Sequence, residues 1–243
     1  MIDAIIEGAL IYDGVAAMPV RTDVGIVGER IALLQNLRDR DAHERIDGRD
    51  RILTPGFIDV HSHSDELWLV DGRCEGKIRQ GVTTEIGGNC GTSAAPLRGL
   101  AERRKAESAR AVGLELAWRD LDDFFTLVER SGVALNVATL VGLGTTRRCI
   151  RGDADGRLEA DELDAEVALV REAIDQGALG VSSGLAYVPS RFADESELIA
   201  CASAARAAGM PRYVSHLRSE SDDLLAAVDE ALLIGRAADV GVQ

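Results

Sequence analysis

The chain has 243 residues, 46 % of them hydrophobic and 28 % charged, a composition typical of a globular protein with a sizeable core. Its formal net charge of −14 argues against nucleic acid or an anionic membrane as a partner. No apolar run approaches the roughly 20 residues that cross a bilayer, and no secretory signal pattern is present, so we expect a cytoplasmic protein. Its four cysteines are widely and irregularly spaced, which favours reduced thiols over a disulfide framework. Oligomeric state is not indicated.

The first 50 residues predict short strands separated by turns. Apolar stretches cover 4–11 and 24–34, and Asp13-Gly14 is a turn signal after the first. Glycine and aspartate punctuate the stretches at short intervals, which favours a small β-domain.

From residue 51 onward, apolar runs alternate with helical patterns. The runs are Ile52–Val60, Val82–Ile86, Leu135–Val141, Leu179–Leu185 and Arg212–Leu217, and a sixth begins at Val240. The helical patterns are Arg98–Val112, Leu121–Arg130, Ala160–Gln176, Glu195–Ala208 and Ser221–Ala238. This alternation predicts βαβ units and a parallel sheet. Because an eight-stranded β/α barrel needs more strands, we expect the chain to be the N-terminal part of a longer protein.

Two histidines follow the first of these runs. Residues i and i+2 of a strand point to the same side, so His61 and His63 are expected to leave the strand end together and to be able to share a metal. Pro55-Gly56 interrupts the run near its start.

Further candidate ligands follow two later runs. Cys90 lies among glycines after the second run, and His216 lies at the end of the fifth. Taken singly, each has a plainer reading: a cysteine is most often a small buried hydrophobic residue, and a histidine at a strand end is most often structural. Carboxyl ends of parallel strands meet at one mouth of an α/β barrel, however, and imidazole and thiolate are favoured zinc ligands.

Other chemistry-bearing residues favour structural roles. We assign the remaining cysteines, Cys74, Cys149 and Cys201, to packing. Residues 151–162 match a calcium loop at several positions, but Arg151 stands where the first acidic ligand belongs, so an acidic turn into a helix is favoured. Gly142-Leu143-Gly144 lacks the third glycine and the lysine of a phosphate loop. His43 is expected to be a solvated loop residue.

Taken together, these stretches resemble the amidohydrolase superfamily and, within it, the N-acyl-D-amino-acid deacylases (D-aminoacylases). The matching segments are Pro55–Asp65, Gln80–Glu85, Gly87–Pro96, Gly177–Pro189 and Ser215–Glu220. The block from Pro55 through His63 marks the superfamily. The Gly-Asn-Cys-Gly block around Cys90 points to this branch, where cysteine replaces the carboxylated lysine of many relatives.

The resemblance implies a fold and a ligand set. The α/β fold would be a TIM-like (β/α)8 barrel, incomplete here with five to six strands at 53–243, preceded by the N-terminal part of a β-sandwich subdomain at 1–52. In such a centre His61 and His63 would bind one Zn²⁺ position, Cys90 would bridge, and His216 would bind the second position. One or both positions would be filled. Tyr187 would belong to the substrate region, where Ser190 departs from the commoner glycine.

The resemblance also implies an activity, namely hydrolysis of a small N-acyl-D-amino acid to a carboxylate and a free D-amino acid by a zinc-activated water. A further histidine ligand and the general-base aspartate are expected beyond residue 243, so the chain as given is expected to be inactive. The alternatives are a dihydropyrimidinase- or dihydroorotase-like enzyme, a D-peptide hydrolase, or an inert truncated chain. Cys90 in place of the lysine argues against the cyclic-amide enzymes.

Overall fold

The structure is a computed structural model that describes all 243 residues. The predicted N-terminal strands form one five-stranded sheet within a compact unit, Met1–Gly56. The strands are β1 (Ile2–Ile11), β2 (Val20–Val27), β3 (Arg30–Gln35), β4 (Ala42–Asp47) and β5 (Ile52–Leu53). Their order is β3-β2-β1-β4, and β5 pairs with the end of β1. The apolar stretch 24–34 is thus a hairpin, and Ile2, Ile5 and Leu37 form the small core of this unit.

The run Ile52–Val60, predicted as one strand, is divided between two sheets, and that prediction was wrong. Residues 52–53 pair with β1, whereas β6 (Phe57–Asp59) pairs with β7 (Val82–Gly87) of the second unit, Phe57–Gln243. The break falls at Thr54-Pro55-Gly56. Proline has no backbone N–H to contribute to a ladder, and glycine favours a turn, so the chain leaves one sheet there and enters another.

The second unit continues with parallel strands. After β6 and β7 these are β8 (Asn136–Thr139), β9 (Val141–Gly142), β10 (Val181–Gly184), β11 (Arg212–His216) and β12 (Gly241–Val242). Leu140 separates β8, which pairs with β7, from β9, which pairs with β10, so together they serve as one barrel strand. The six successive barrel strands confirm the prediction of an incomplete (β/α)8 barrel.

Eight helices accompany these strands. They are α1 (Leu67–Val70), α2 (Glu75–Ile78), α3 (Gly99–Ala111), α4 (Leu121–Ser131), α5 (Leu143–Arg151), α6 (Ala160–Asp175), α7 (Glu195–Ala207) and α8 (Leu224–Ala238). The five predicted helices are α3, α4, α6, α7 and α8. The sequence pattern missed α1 and α2, which are one turn each, and α5, whose three arginines and two threonines conceal an apolar face. No helix combines the length and apolar character needed to cross a bilayer.

Local signals explain where the longer helices begin. Asp120 accepts a hydrogen bond from the Asp123 N–H at 2.9 Å, and Asp194 accepts one from the Glu197 N–H at 3.0 Å. Such N-caps satisfy backbone donors that a helix leaves unpaired. Behind the caps, the apolar faces pack a core in which Phe124 contacts the rings of Trp68 and Trp118.

Four buried polar side chains lie together within the helix layer, and we call them the helix-layer cluster: Thr146, Arg147, Glu166 and Glu197. Arg147 is fully buried and pairs with Glu197, while Thr146 Oγ1 donates to Glu166 Oε1 at 2.7 Å. The Arg147 guanidinium pairs with the Glu197 carboxyl group, and its charge also acts on Glu166. Burial, and then the charge of Glu197, raise the pKa of Glu166 to about 8.

Candidate metal centre

The two histidines after β6 do converge. Their ring centroids lie 5.5 Å apart in an edge-to-face arrangement. The strand ends at Asp59, however, so His61 and His63 lie in a loop and strand alternation does not set their direction. Backbone hydrogen bonds hold this loop instead: Asp59 Oδ1 accepts from the His61 N–H at 3.2 Å, and the Ser62 N–H donates to the Ile86 carbonyl at 3.2 Å.

A tight turn after β7 carries Cys90. The residue has a φ of +52°, and Gly88 and Gly91 on either side also have positive φ. A Cβ at Gly88 would overlap the carbonyl oxygen of Leu140, so the close approach to the neighbouring strand requires glycine at this position. The Gly88 N–H donates to buried Asp65 at 2.9 Å, which anchors the turn. These constraints aim the Cys90 thiol at the histidine loop.

The thiol of Cys90 lies between two imidazoles. Its Sγ is 3.3 Å from His61 Nε2 and 3.7 Å from Nδ1 of His216, the last residue of β11. Tyr187, from the turn after β10, packs against the His216 ring with centroids 4.8 Å apart and the ring planes tilted by 59°, and its hydroxyl lies 3.5 Å from His216 Nε2. The residues predicted from four separate strand ends therefore lie together.

The donor atoms suit a small, borderline-soft cation. The nearest ligand atoms of His61, His63 and Cys90 all lie within 4.8 Å of one another. Ligand atoms of tetrahedral zinc are separated by roughly 3.3–3.8 Å, because Zn–N and Zn–S bonds are about 2.0–2.3 Å long. The 3.3 Å between His61 Nε2 and Cys90 Sγ falls in that range.

Burial and charge favour the metal-binding form of one histidine. Burial, followed by the nearby rings of His61 and His216, lowers the pKa of His63 and keeps its imidazole neutral. In the metal-free chain burial, followed by the charge of Glu220, raises the pKa of Cys90. A bound cation reverses this effect, because a coordinating thiol is deprotonated.

The other residues singled out in the sequence have structural contacts. Cys201 is buried in the core, and Cys149 Sγ lies 3.3 Å from the carbonyl oxygen of Pro96. All four cysteines are free. His43 is exposed but belongs to β4, not to a loop as predicted. In the calcium-like segment, Glu162 pairs with Arg151 at 2.6 Å.

Sequence reasoning missed the polar residues that hold the ligands in place. Asp59 ends strand β6, Glu85 lies within β7, and Asp65 and Asn89 flank the ligand turns. All except Asp59 are buried. A carboxylate within an apolar strand was the available signal, because burying a charge is costly unless hydrogen bonds or a partner compensate it.

Comparison with known proteins agrees with this geometry. Residues 44–225 match the sequence profile described as the amidohydrolase family. The chain belongs to the amidohydrolase family. This family is metal-dependent, which agrees with the donor set described above. The match covers both the ligand turns and the helices between them.

The amidohydrolase chain is also similar to individual deacylases. It is 38 % identical to N-acyl-D-glutamate deacylase of Alcaligenes xylosoxydans xylosoxydans over 97 % of its own length and 48 % of that protein's. It superposes with a TM-score of 0.89 on D-aminoacylase, whose structure was described for its binuclear metal centre, at 33 % identity over 100 % of this chain and 51 % of that one.

A second solved structure shows the same similarity. N-acyl-D-glutamate deacylase from Bordetella bronchiseptica, complexed with zinc and a phosphonate inhibitor, gives a TM-score of 0.89 at 34 % identity over 99 % of this chain and 50 % of that one. The 243 residues thus span about half the length of the relatives they match.

Proposed function

We propose that this chain supplies the histidine and cysteine ligands of a zinc-dependent deacylase that hydrolyses N-acyl-D-amino acids. The observation that carries the proposal is the position of Cys90 Sγ, 3.3 Å from His61 and 3.7 Å from His216. A thiol between two imidazoles can bridge two metal positions, and the relatives that share this chain's fold at 33–34 % identity are named as deacylases.

The ligands divide between two positions in this proposal. His61 and His63 hold the first, His216 contributes to the second, and Cys90 bridges them, so the centre takes one or two Zn²⁺ ions. When bound, zinc supplies a polarised amide carbonyl and an acidified water. Tyr187 presents its hydroxyl beside His216 and is half-exposed, so it can contact the substrate. The general acid–base aspartate is not among the residues assigned here.

The remaining expectations are part of the same proposal. We propose that the N-terminal sheet, predicted as residues 1–52, belongs to a β-sandwich subdomain and that 53–243 form part of the barrel. The substrate is a small molecule that carries an N-acyl group and a D-configured carbon. Residence in the cytoplasm and the lack of a nucleic-acid or membrane partner stay predictions from composition and charge.

The test uses the complete product of the gene that encodes these residues. Zinc content and release of free D-amino acid from N-acetyl-D-methionine and N-acetyl-D-glutamate are measured for the wild type and for Cys90→Ala and His216→Ala. We expect both quantities to fall in both variants, with rates lower by more than about 100-fold, because each removes a ligand.

Matched controls keep the test specific. Cys74→Ala removes a thiol, and His43→Ala removes an imidazole, at positions outside the centre, and both should leave zinc content and rate unchanged. Hydantoin and a D-dipeptide serve as rival substrates. Unchanged zinc and rate in Cys90→Ala and His216→Ala would contradict the ligand assignment, and preference for a rival substrate would contradict the deacylase assignment.

A further inference from the structure

Between the two ligand histidines lies Ser62, which is buried and forms hydrogen bonds through its hydroxyl, its N–H and its carbonyl. Ser62 is 6 % exposed, although both of its neighbours are exposed. Its hydroxyl donates to Glu85 Oε1, its N–H donates to the Ile86 carbonyl, and its own carbonyl accepts from Asn89 Nδ2 at 3.4 Å. All three partners lie on β7 or on the turn that carries Cys90. The histidine loop is therefore attached to the next strand through Ser62.

Glu85 is the centre of this attachment. The carboxylate is 1 % exposed and accepts from Ser62, from Trp68 Nε1 at 2.9 Å and from Lys77 Nζ at 3.2 Å. Burial opposes its ionisation, but the hydrogen bonds from Ser62, Trp68, Ser64 and Lys77 together outweigh burial and lower the pKa of Glu85. A charged carboxylate is thus held rigidly beneath the loop.

A second connection reaches the other side of the loop. Lys77 also pairs with Asp59, and Asp59 accepts the His61 N–H at 3.2 Å. Lys77 therefore links the carboxylate below Ser62 to the carboxylate that holds the His61 backbone. Glu85 forms no hydrogen bond with His61 or His63 itself, so any influence on the imidazoles passes through Ser62 and Asp59.

We propose that Glu85 is a positioning residue for the first metal position: it holds Ser62 so that both flanking imidazoles face Cys90. The inference rests on the proposed function, since it assigns a role toward the same metal. A two-residue spacing within a loop does not by itself align two side chains, and hydrogen bonds to the intervening residue supply the missing constraint. Outer residues that orient metal ligands typically change metal affinity by about 10–100-fold when replaced.

The helix-layer cluster provides a matched control. Glu166 is also a buried carboxyl group that accepts from a hydroxyl, at 2.7 Å from Thr146, but it lies among helices α5, α6 and α7. Glu166→Gln therefore reproduces the loss of a buried carboxyl group without touching the histidine loop. If Glu85 acted only through general stability, zinc affinity in each variant would fall in step with its loss of thermal stability.

The experiment measures metal affinity in the complete gene product, without reference to turnover. Metal-free wild type, Glu85→Gln, Ser62→Ala, the double variant and Glu166→Gln are titrated with Zn²⁺ against a chromophoric chelator, and with Co²⁺ to record the thiolate and ligand-field absorption. Thermal unfolding of each metal-free protein establishes that it is folded. Ser62→Ala, a smaller change than Glu85→Gln, keeps the test open should the latter fail to fold.

We expect Glu85→Gln and Ser62→Ala each to weaken zinc binding by about 10-fold or more, with an altered cobalt spectrum. The double variant should bind zinc little worse than Glu85→Gln alone, because the Ser62 hydroxyl acts through Glu85. Glu166→Gln should match the wild type. Wild-type affinity in folded Ser62→Ala, additive losses in the double variant, or an equal loss in Glu166→Gln would overturn the inference.

The outcomes also separate this inference from the proposed function. If wild type binds zinc and Cys90→Ala does not, but the Glu85 and Ser62 variants bind normally, only the positioning role fails. If wild type binds no zinc, or Cys90→Ala binds it as tightly as wild type, the metal centre itself is refuted and the positioning role with it.

Discussion

Two buried polar networks in this amidohydrolase have similar chemistry and different consequences. The helix-layer cluster joins Arg147, Glu166 and Glu197 within a layer of helices, and no ligand atom depends on it. The network around Ser62 and Glu85 lies one residue from exposed imidazoles. The Glu85 carboxylate accepts hydrogen bonds from Ser62 and Trp68, whereas Arg147 Nε and Glu166 Oε2 of the helix-layer cluster have no hydrogen-bond partner. Under the proposal for Glu85, position relative to the strand ends, more than burial or charge, decides whether such a network affects only stability or also the metal.

The largest effect is expected at the cysteine turn. Gly88→Ala places a Cβ against the Leu140 carbonyl and forces alanine into a positive φ of 72°. The chain cannot relieve the overlap without moving the turn or strand β8, so destabilisation should exceed about 4 kcal/mol. Denaturant unfolding and soluble yield measure it. Gly113→Ala, also at positive φ but with open space around it, is the control and should cost about 1 kcal/mol.

The next largest effect is expected when the helix-layer cluster loses its arginine. Arg147→Met leaves the buried Glu197 carboxyl group without its partner, which should lower the free energy of unfolding by about 3–5 kcal/mol. Zinc affinity of the folded fraction should stay at the wild-type value, as the comparison requires. A loss of zinc affinity in protein shown to be folded would remove the distinction between the two networks.

Removal of the metal should lower the thermal stability of the protein. A ligand that binds only the folded state stabilises it by about 2.7 kcal/mol at 100 times its dissociation constant, so a chelator should lower the melting temperature. Cys90→Ala should abolish this zinc-dependent gain, whereas Glu166→Gln should retain it. Calorimetry with and without zinc measures both. A full gain in Cys90→Ala would show that the ion binds elsewhere.

The helix-layer cluster should also make the stability of the protein depend on pH. Because the pKa of Glu166 is raised from 4.5 to about 8, the folded state binds more protons than the unfolded state between these values. Stability should therefore decline as pH rises from about 5 to about 8, by up to about 1 kcal/mol per pH unit. Arg147 and Glu197 also act on the Glu166 carboxyl group, so the pH dependence of stability is a property of the whole cluster and not of Glu166 alone.

Unfolding curves at pH 5.5, 7 and 8.5 test this slope. Glu166→Gln cannot titrate and should show a flatter profile, while Asp164→Asn, an exposed neighbour on the same helix, should keep the wild-type slope. An identical pH dependence in Glu166→Gln and wild type would contradict the assignment.

The smallest effect is expected from loss of a helix N-cap, and it serves as a reference for the larger effects. Asp120→Ala removes the N-cap of α4, where the side chain accepts from the Asp123 N–H at 2.9 Å. Such a loss costs about 1 kcal/mol and should leave zinc affinity unchanged. If this remote change altered zinc binding, the effect of Glu85→Gln could no longer be assigned to its contact with Ser62.

Several features could be predicted from sequence because they depend on local pattern. Helix α6 places apolar residues at helical spacing and ends before Gly177, and its predicted and observed bounds differ by one residue at one end. His61, His63, Cys90 and His216 were each recognisable from residue type and from their place after an apolar run. Parallel strands present their carboxyl ends at one edge, so convergence followed from topology.

Other features depend on contacts that no single stretch of sequence contains. The division of Ile52–Val60 between two sheets depends on which strand each half pairs with, β1 or β7. Helix α5 was missed because its buried arginine finds its partner on α7, about 50 residues away. Tyr187 could be placed near the site by resemblance, but its contact with the His216 ring depends on the folded turn after β10.

The sequence alone therefore determined which donor groups this protein has and the strand ends from which they come, because residue type and periodicity are local properties. Only the tertiary structure decided how those donors are aimed. His61 and His63 lie in a loop beyond their strand, so strand alternation does not orient them, and the hydrogen bonds to Ser62 come from residues 23 to 27 positions away. Such constraints exist only once the two strands have paired.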